Sequence, residues 1–108
     1  MNNIFEKGKI LNLTESVDYA EGGIVSKQII KSNPGNITLF SFAKGQGLTE
    51  HTAPFDAMVQ ILDGEVEIKI GGEPFVLKQG DTIIMPANIS HALHALENFK
   101  MLLTMIRG

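Results

Sequence analysis

Two histidines follow glycine-containing segments in two separate stretches of this 108-residue chain. His51 ends GQGLTEH, which begins at Gly45, and His91 ends GDTIIMPANISH, which begins at Gly80. A neutral imidazole can coordinate a metal, accept a hydrogen bond from a ligand, or transfer a proton near neutral pH. Because each histidine stands where a loop meets an apolar run, we expect both at strand starts, at the mouth of a barrel. The chemistry of this protein is therefore predicted where the two stretches meet.

Short apolar runs separated by turn residues predict an all-β chain. Val66, Ile68 and Ile70 alternate with charged residues, which is typical of a strand with one buried and one wet face. Asp63 and Gly64 form the pair favoured in tight hairpin turns. Eight or nine such strands without a long helix predict two packed antiparallel sheets or a closed barrel. The predicted strands are 24–30, 37–42 (paired with the first as a hairpin), 57–62, 65–70, 74–78, 82–85, 91–96 and 99–106.

The composition narrows the class of protein. The net charge is −3 and the basic residues are not clustered, so we expect no nucleic-acid partner. The chain has no cysteine and no apolar run of membrane-spanning length, which predicts a cytoplasmic protein without a membrane partner. The length fits one domain. We divide it into an N-terminal arm or edge element at 1–23, placed to pack on a neighbouring subunit, and a β-barrel at 24–108.

The two histidine stretches resemble the two motifs of a known family. The first cupin motif is a glycine, five residues, His-x-His, three or four residues, Glu, six residues and a glycine. The second is a glycine, five residues, Pro-x-Gly, two residues, His, three residues and Asn. The chain is therefore similar to a small single-domain cupin of the conserved-barrel, RmlC-like type, which implies a jelly-roll barrel, also called a double-stranded β-helix. The matching residues are Gly45, His51 and Gly64 in the first motif, and Gly80, Pro86 and His91 in the second.

The departures from these motifs bear on function. The resemblance implies a metal site of three histidines and one glutamate, but Ala53 replaces one of the histidines and Ala57 replaces the glutamate. His51 and His91 are then the only remaining metal ligands, fewer than catalytic zinc or non-haem iron usually has. Asn88 replaces the motif glycine and, like glycine, tolerates left-handed backbone. The final asparagine of the second motif is also an alanine in this chain.

Nearby residues are poor substitutes for the missing ligands. Adjacent side chains on a strand point to opposite faces, so Asp56 should point away if Ala57 points inward. Glu50 would need a kink in the loop to reach the interior. His94, three positions after His91, should lie on the outer face, as a surface or interface histidine.

The two alanines leave space inside the barrel. By alternation from Ala57, other apolar side chains should face the same interior. The result is either an ordinary packed core, as in most small barrels, or a mostly apolar pocket with two histidines as its polar points. The predicted pocket residues are His51, Ala53, Ala57, Val59, Ile61, Met85, His91 and Leu93.

Three functions remain open from the sequence. The first is binding of an unknown small molecule near His51 and His91. The second is an enzyme. In one form, the two histidines hold a divalent transition metal as the cofactor of oxygenase-like or isomerase-like chemistry. In a metal-free form, one histidine acts as the base of an epimerase or isomerase. The third is a purely structural module.

The last predicted strand suggests a partner. Residues 99–106 are apolar on both faces, with Met101 and Met105 on one side and Leu102 on the other. In so small a protein, a second covering layer has to come from elsewhere. Since cupins of this kind are often homodimers built through such a sheet, the resemblance implies a homodimer here.

Overall fold

The computed structural model describes residues 5–107, in which the chain forms nine β-strands and no helix. The all-β prediction is therefore confirmed. No helix in this range could cross a membrane. The strands are β1 (Ile24–Ser32), β2 (Gly35–Phe42), β3 (Gly47–His51), β4 (Asp56–Asp63), β5 (Glu65–Ile70), β6 (Glu73–Lys78), β7 (Thr82–Met85), β8 (His91–Ala95) and β9 (Phe99–Ile106).

The strands form two facing antiparallel sheets. One sheet has the order β1-β2-β9-β4-β7 and the other has the order β3-β8-β5-β6. Their inward side chains pack into one core, in which the rings of Phe42 and Phe99 stack with centroids 4.6 Å apart. Val66 and Ile68 contribute to this core from β5, as their alternation predicted. The interior between the sheets is therefore formed by every second residue of each central strand.

One predicted hairpin turn is instead a corner between the two sheets. The β1–β2 hairpin is confirmed by its antiparallel register, but the hairpin predicted at Asp63-Gly64 is wrong. β4 lies in the five-stranded sheet and β5 in the four-stranded sheet, so this pair is a corner at which the chain changes sheets. Gly64 has a φ of 80°, which suits a sharp corner as well as a hairpin turn.

The N-terminal segment packs on the barrel of its own chain. Residues 1–4 of the predicted arm lie outside the described residues, and residues 5–23 contain turns but no strand. Val17 is buried against the outer face of the five-stranded sheet in a second apolar cluster with Leu39, and Leu102 packs against that cluster. The Ser41 hydroxyl donates a hydrogen bond to the carbonyl of Asp18 over 2.8 Å. The outer side of β9 at Leu102 is thus covered from within the chain.

A polar contact holds the arm near the sheet-changing corner. The Tyr19 hydroxyl donates a hydrogen bond to the Asp63 carboxylate, and the Lys100 ammonium lies 5.0 Å from the centre of the Tyr19 ring. Burial, together with the hydrogen bond to Asp63 and its negative charge, raises the pKa of Tyr19 well above its usual range. The phenol therefore stays a neutral donor, and the arm is fixed at its C-terminal part.

Candidate functional site

The two motif histidines meet across the β3–β8 strand pair. His51 is the last residue of β3 and His91 the first residue of β8, and the two are register partners. Their ring centroids are 4.3 Å apart, in an edge-to-face arrangement. The prediction that His91 starts a strand is confirmed, whereas the same prediction for His51 is wrong, because β3 was not anticipated. In an antiparallel pair, the end of one strand lies beside the start of its partner, which brings the rings together.

A β-bulge turns His51 toward the interior. Leu48 pairs with Leu93 and His51 pairs with His91, so β3 uses one residue more than β8 between the two pairs. This extra residue reverses the alternation, which places His51 on the same side as Leu48. Glu50 is left exposed. The bulge therefore turns the imidazole of His51, and not the carboxylate of Glu50, toward the barrel mouth.

Backbone carbonyls set the tautomer of both rings. Nδ1 of His51 lies 2.7 Å from the carbonyl oxygen of Thr49, and Nδ1 of His91 lies 3.4 Å from that of Ile89. A carbonyl oxygen can only accept a hydrogen bond, so in the neutral ring Nδ1 must carry the proton. Nε2 is then unprotonated on both rings. Each histidine can accept a hydrogen bond or coordinate a metal through Nε2.

His91 is held in its neutral form. Its residue surface is 7% exposed, whereas His51 is exposed at the mouth. Burial lowers the pKa of His91 below its usual value, and the nearby charge of a protonated His51 lowers it further. The contact with the Ile89 carbonyl opposes this shift but does not reverse it. Near neutral pH, the Nε2 lone pair of His91 is therefore available.

This lowered pKa predicts a pH dependence of stability. As the pH falls through about 6.5, the unfolded state takes up a proton at His91 and the native state does not, so the free energy of unfolding decreases. The slope from this one group is at most about 1.4 kcal/mol per pH unit. His91→Gln should flatten the slope between pH 6.5 and 5.5, measured by urea denaturation. His51, the other titratable group that lines this site, is present in both proteins. Equal slopes for the two proteins would therefore contradict this account of His91.

The histidine pair opens onto an apolar cavity of about 150 Å³ between the sheets. Six predicted pocket residues line it, namely His51, Ala53, Ala57, Met85, His91 and Leu93. The prediction for Val59 and Ile61 is corrected: both face inward from β4 but lie deeper, in the packed core, where neighbouring side chains fill the space. Four lining residues were not predicted. One is Leu48 of β3, and the other three share the inward face of the last strand, where its alternation marks them: Met101, Leu103 and Met105.

The other polar candidates lie outside the cavity. Asp56 is exposed and accepts a hydrogen bond from the backbone N–H of Ala87 over 2.9 Å. His94 is exposed and pairs in register with Glu67 on the outer face of the four-stranded sheet. Asn88 has a φ of 64°, so it takes the left-handed backbone expected at this glycine position of the second motif. Strand alternation therefore predicted the outward directions of Asp56 and His94 correctly.

Comparison with known proteins identifies the family. A family model described as "Cupin domain" matches residues 38–107, which include both histidine stretches. The chain belongs to the cupin family. The two-sheet barrel of the structure is accordingly the predicted cupin jelly roll.

Several solved structures superpose closely on this one. A conserved protein of unknown function from Streptococcus pyogenes is 42% identical, with a TM-score of 0.93, over 98% of this chain and 93% of that one. A cupin 2 conserved barrel domain protein from Leptotrichia buccalis is 46% identical, with a TM-score of 0.87, over 90% of this chain but 47% of that one. A cupin superfamily protein from Desulfitobacterium hafniense is 27% identical, with a TM-score of 0.91, over 98% and 97%. No curated protein matches this chain.

The metal site implied by the cupin motifs does not fit this chain. Ala57 faces the cavity, where the motif has glutamate, and Ala53 lines the mouth, where it has histidine. Among residues 5–107, no three His, Cys, Asp or Glu side chains are grouped so that they could hold a metal ion. A divalent ion at His51 and His91 would have no anionic ligand to offset its charge in an apolar cavity.

Proposed function

We propose that this cupin binds a small, mostly apolar molecule inside its barrel, with His51 and His91 as the polar contacts. The supporting observation is the cavity itself: its walls are apolar, and its polar groups are two imidazoles oriented by backbone carbonyls. Few, well-oriented polar groups in an apolar cavity are the usual composition of a small-ligand site. Binding, and not catalysis, is the conclusion that this arrangement supports best.

The cavity limits the size and chemistry of the ligand. A cavity of similar volume in another protein holds benzene, so a molecule of about six to eight non-hydrogen atoms fits here. The unprotonated Nε2 atoms accept hydrogen bonds, so the ligand should carry a donor such as a hydroxyl or N–H group at one end. We therefore expect small phenols, alcohols or azoles to bind in preference to sugars, which are larger and polar on all sides.

Filling the cavity should weaken binding. Ala57→Leu places a larger side chain in the space between the sheets and should weaken binding of phenol-sized ligands at least about tenfold, the effect of 1.4 kcal/mol. Ligands can be found by a thermal-shift screen and their affinities measured by calorimetry. Ala53→Leu, at the more open mouth, serves as a second variant in case Ala57→Leu does not fold.

Val76→Leu is the control, because Val76 is exposed on β6 of the other sheet and does not line the cavity. It should leave the affinity unchanged. A ligand that binds wild type and both cavity-filling variants equally well would place its site outside the barrel and contradict the proposal.

We also propose a homodimer through the outer face of the five-stranded sheet that the arm leaves open. One row of register partners crosses this face, and its members are Ile30, Ile37, Thr104, Met58 and Ile84. Ile84 is 63% exposed, and Ile106, beside this row, is 58% exposed. Contiguous exposed apolar side chains of this kind mark association surfaces. A second copy of the chain would cover the row by two-fold symmetry.

Charged substitution on this row should dissociate the dimer. We expect wild type to be a dimer at micromolar concentration by light scattering, and Ile84→Asp to shift the mass toward the monomer. Val76→Asp is the control, since Val76 is also exposed but lies on β6 of the other sheet. A monomeric wild-type protein would refute the dimer.

A further inference from the structure

Three methionine side chains line the same cavity as the two imidazoles. Met85 comes from β7, and Met101 and Met105 come from β9. Met85 and Met101 are almost completely buried, and Met105 is partly buried. Because the chain has no cysteine, the thioethers of these residues are the sulfur donors available to the site. Methionine often fills irregular gaps in a core, but its thioether sulfur can also act as a ligand of a soft metal ion beside imidazole nitrogens.

Two of the methionines flank the position at which the cupin motif has its glutamate. Ala57 is the register partner of Met85 on one side and of Met105 on the other. The three residues form one row across the inward face, with neighbouring strands about 4.8 Å apart. Since Ala57 has only a methyl group, it leaves the space between the two unbranched methionine side chains open toward the cavity. Where the motif has a hard carboxylate, this row therefore has a methyl group between two soft thioether side chains.

We propose that this cavity binds a soft monovalent metal ion, Cu(I), through Nε2 of His51 and His91 and the thioether sulfurs of Met85 and Met105. The proposal rests on the two-histidine site of the proposed function and names a ligand class for it. Thioether and imidazole donors favour Cu(I), whereas Mg²⁺, Ca²⁺ and Mn²⁺ prefer the oxygen ligands that the cavity lacks. A single positive charge also suits the site, because burying a doubly charged ion among neutral ligands would cost more.

Neither the oxidation state nor a covalent bond of the protein changes in this binding. The ion enters and remains as Cu(I), and its bonds to imidazole nitrogen and thioether sulfur are dative, so no bond of the protein is broken. The apolar walls formed by Leu48, Leu93 and Leu103 would exclude water around the ion.

The test is anaerobic titration of the purified protein with Cu(I), in competition with a chromophoric Cu(I) chelator, and with Ag(I) as a redox-inert substitute. We expect one ion per chain and weaker binding of Zn(II) than of Cu(I). X-ray absorption should show both nitrogen and sulfur neighbours of copper. The double variant Met85→Leu, Met105→Leu should lower the Cu(I) affinity about tenfold or more and remove the sulfur signal, while keeping core volume nearly unchanged. His94→Ala, on the outer face of the four-stranded sheet, should change neither.

The outcomes separate this proposal from the one on which it rests. Stoichiometric Cu(I) binding that is lost in His91→Ala and weakened in the methionine double variant supports it. If the methionine double variant binds copper with unchanged affinity, the thioether sulfurs are not ligands and the proposal is overturned. Absence of Cu(I) and Ag(I) binding from a wild-type protein that still binds phenol-sized ligands overturns the metal proposal and leaves the proposed function standing. If wild type binds neither metal nor small molecule, both are refuted.

Discussion

The double variant Ala53→His, Ala57→Glu is expected to bind one divalent transition-metal ion, such as Mn²⁺, Ni²⁺ or Zn²⁺, where wild type binds none tightly. The substitutions would supply the two ligands that the cupin motif has and this chain lacks. Both positions line the cavity beside His51 and His91, so the new side chains would point to the same space. Three imidazoles and one carboxylate then offer a complete set of ligands with one negative charge.

The folding energetics of this variant should depend strongly on metal. Ala57 is buried, so without metal the new carboxylate is an unpaired buried charge, which costs roughly 3–5 kcal/mol of unfolding free energy. Metal at a concentration about 1,000 times its dissociation constant should raise the free energy of unfolding by about 4 kcal/mol. Calorimetric titration and thermal unfolding with and without metal measure both effects.

Two controls separate ligation from other effects of the substitutions. Ala57→Gln introduces a side chain of similar size without the charge, so Ala53→His, Ala57→Gln should bind the metal more weakly than the glutamate variant. The further change His91→Ala should abolish binding. A double variant that folds normally and does not bind any of the three ions would show that the cavity no longer holds the motif positions in ligand geometry.

Gly64→Ala should destabilise the protein by roughly 3–5 kcal/mol, a loss that only specific backbone or core defects produce. Gly64 lies at the corner where the chain leaves the five-stranded sheet for the four-stranded sheet, with a φ of 80°. A Cβ atom there would collide with the carbonyl oxygen of Asn98 and lie 2.7 Å from the Cα atom of Phe99. Both neighbours are backbone atoms at the start of the central strand β9, so they cannot move aside without distorting the sheet.

Gly80→Ala is the matched control for this prediction. Gly80 has a φ of 94°, but a Cβ atom added there would meet no atom within 4 Å. Its substitution therefore costs only the strained backbone, about 1–2 kcal/mol. Urea denaturation of the two variants compares the conformational cost with the steric one. Equal losses would mean that the collision at Gly64 is relieved cheaply and that the corner is less tightly packed than the structure shows.

The strands with strong local patterns could be predicted from the sequence. The predicted limits of 65–70, 82–85 and 99–106 coincide with β5, β7 and β9. In such runs, either every second side chain or most of the run is apolar, and turn residues precede the first residue, so local information is sufficient. The family and the identities of both site histidines could likewise be read from short motifs, because these depend on residue type and spacing alone.

Contacts distant in sequence decided the rest of the site. The bulge between Leu48 and His51 is defined only by the pairing of β3 with β8, and without it strict alternation would point Glu50 into the barrel. The depth of Val59 depends on what faces it from the other sheet, so its alternation predicted the inward face correctly but not whether a cavity remained there.

The same reason accounts for the arm and the corner. Whether residues 5–23 cover their own sheet or a neighbour's depends on contacts such as Val17 with Leu39, which the local sequence does not encode. Asp63 and Gly64 favour a sharp change of direction in either structure, and the pairing of β4 with β7 and β9 makes it a corner. The sequence by itself thus determined the strongly patterned strands, the family and the two histidines. Only the tertiary structure decided how His51 is turned inward and how deep the cavity extends, because both depend on strand pairing and packing across the barrel.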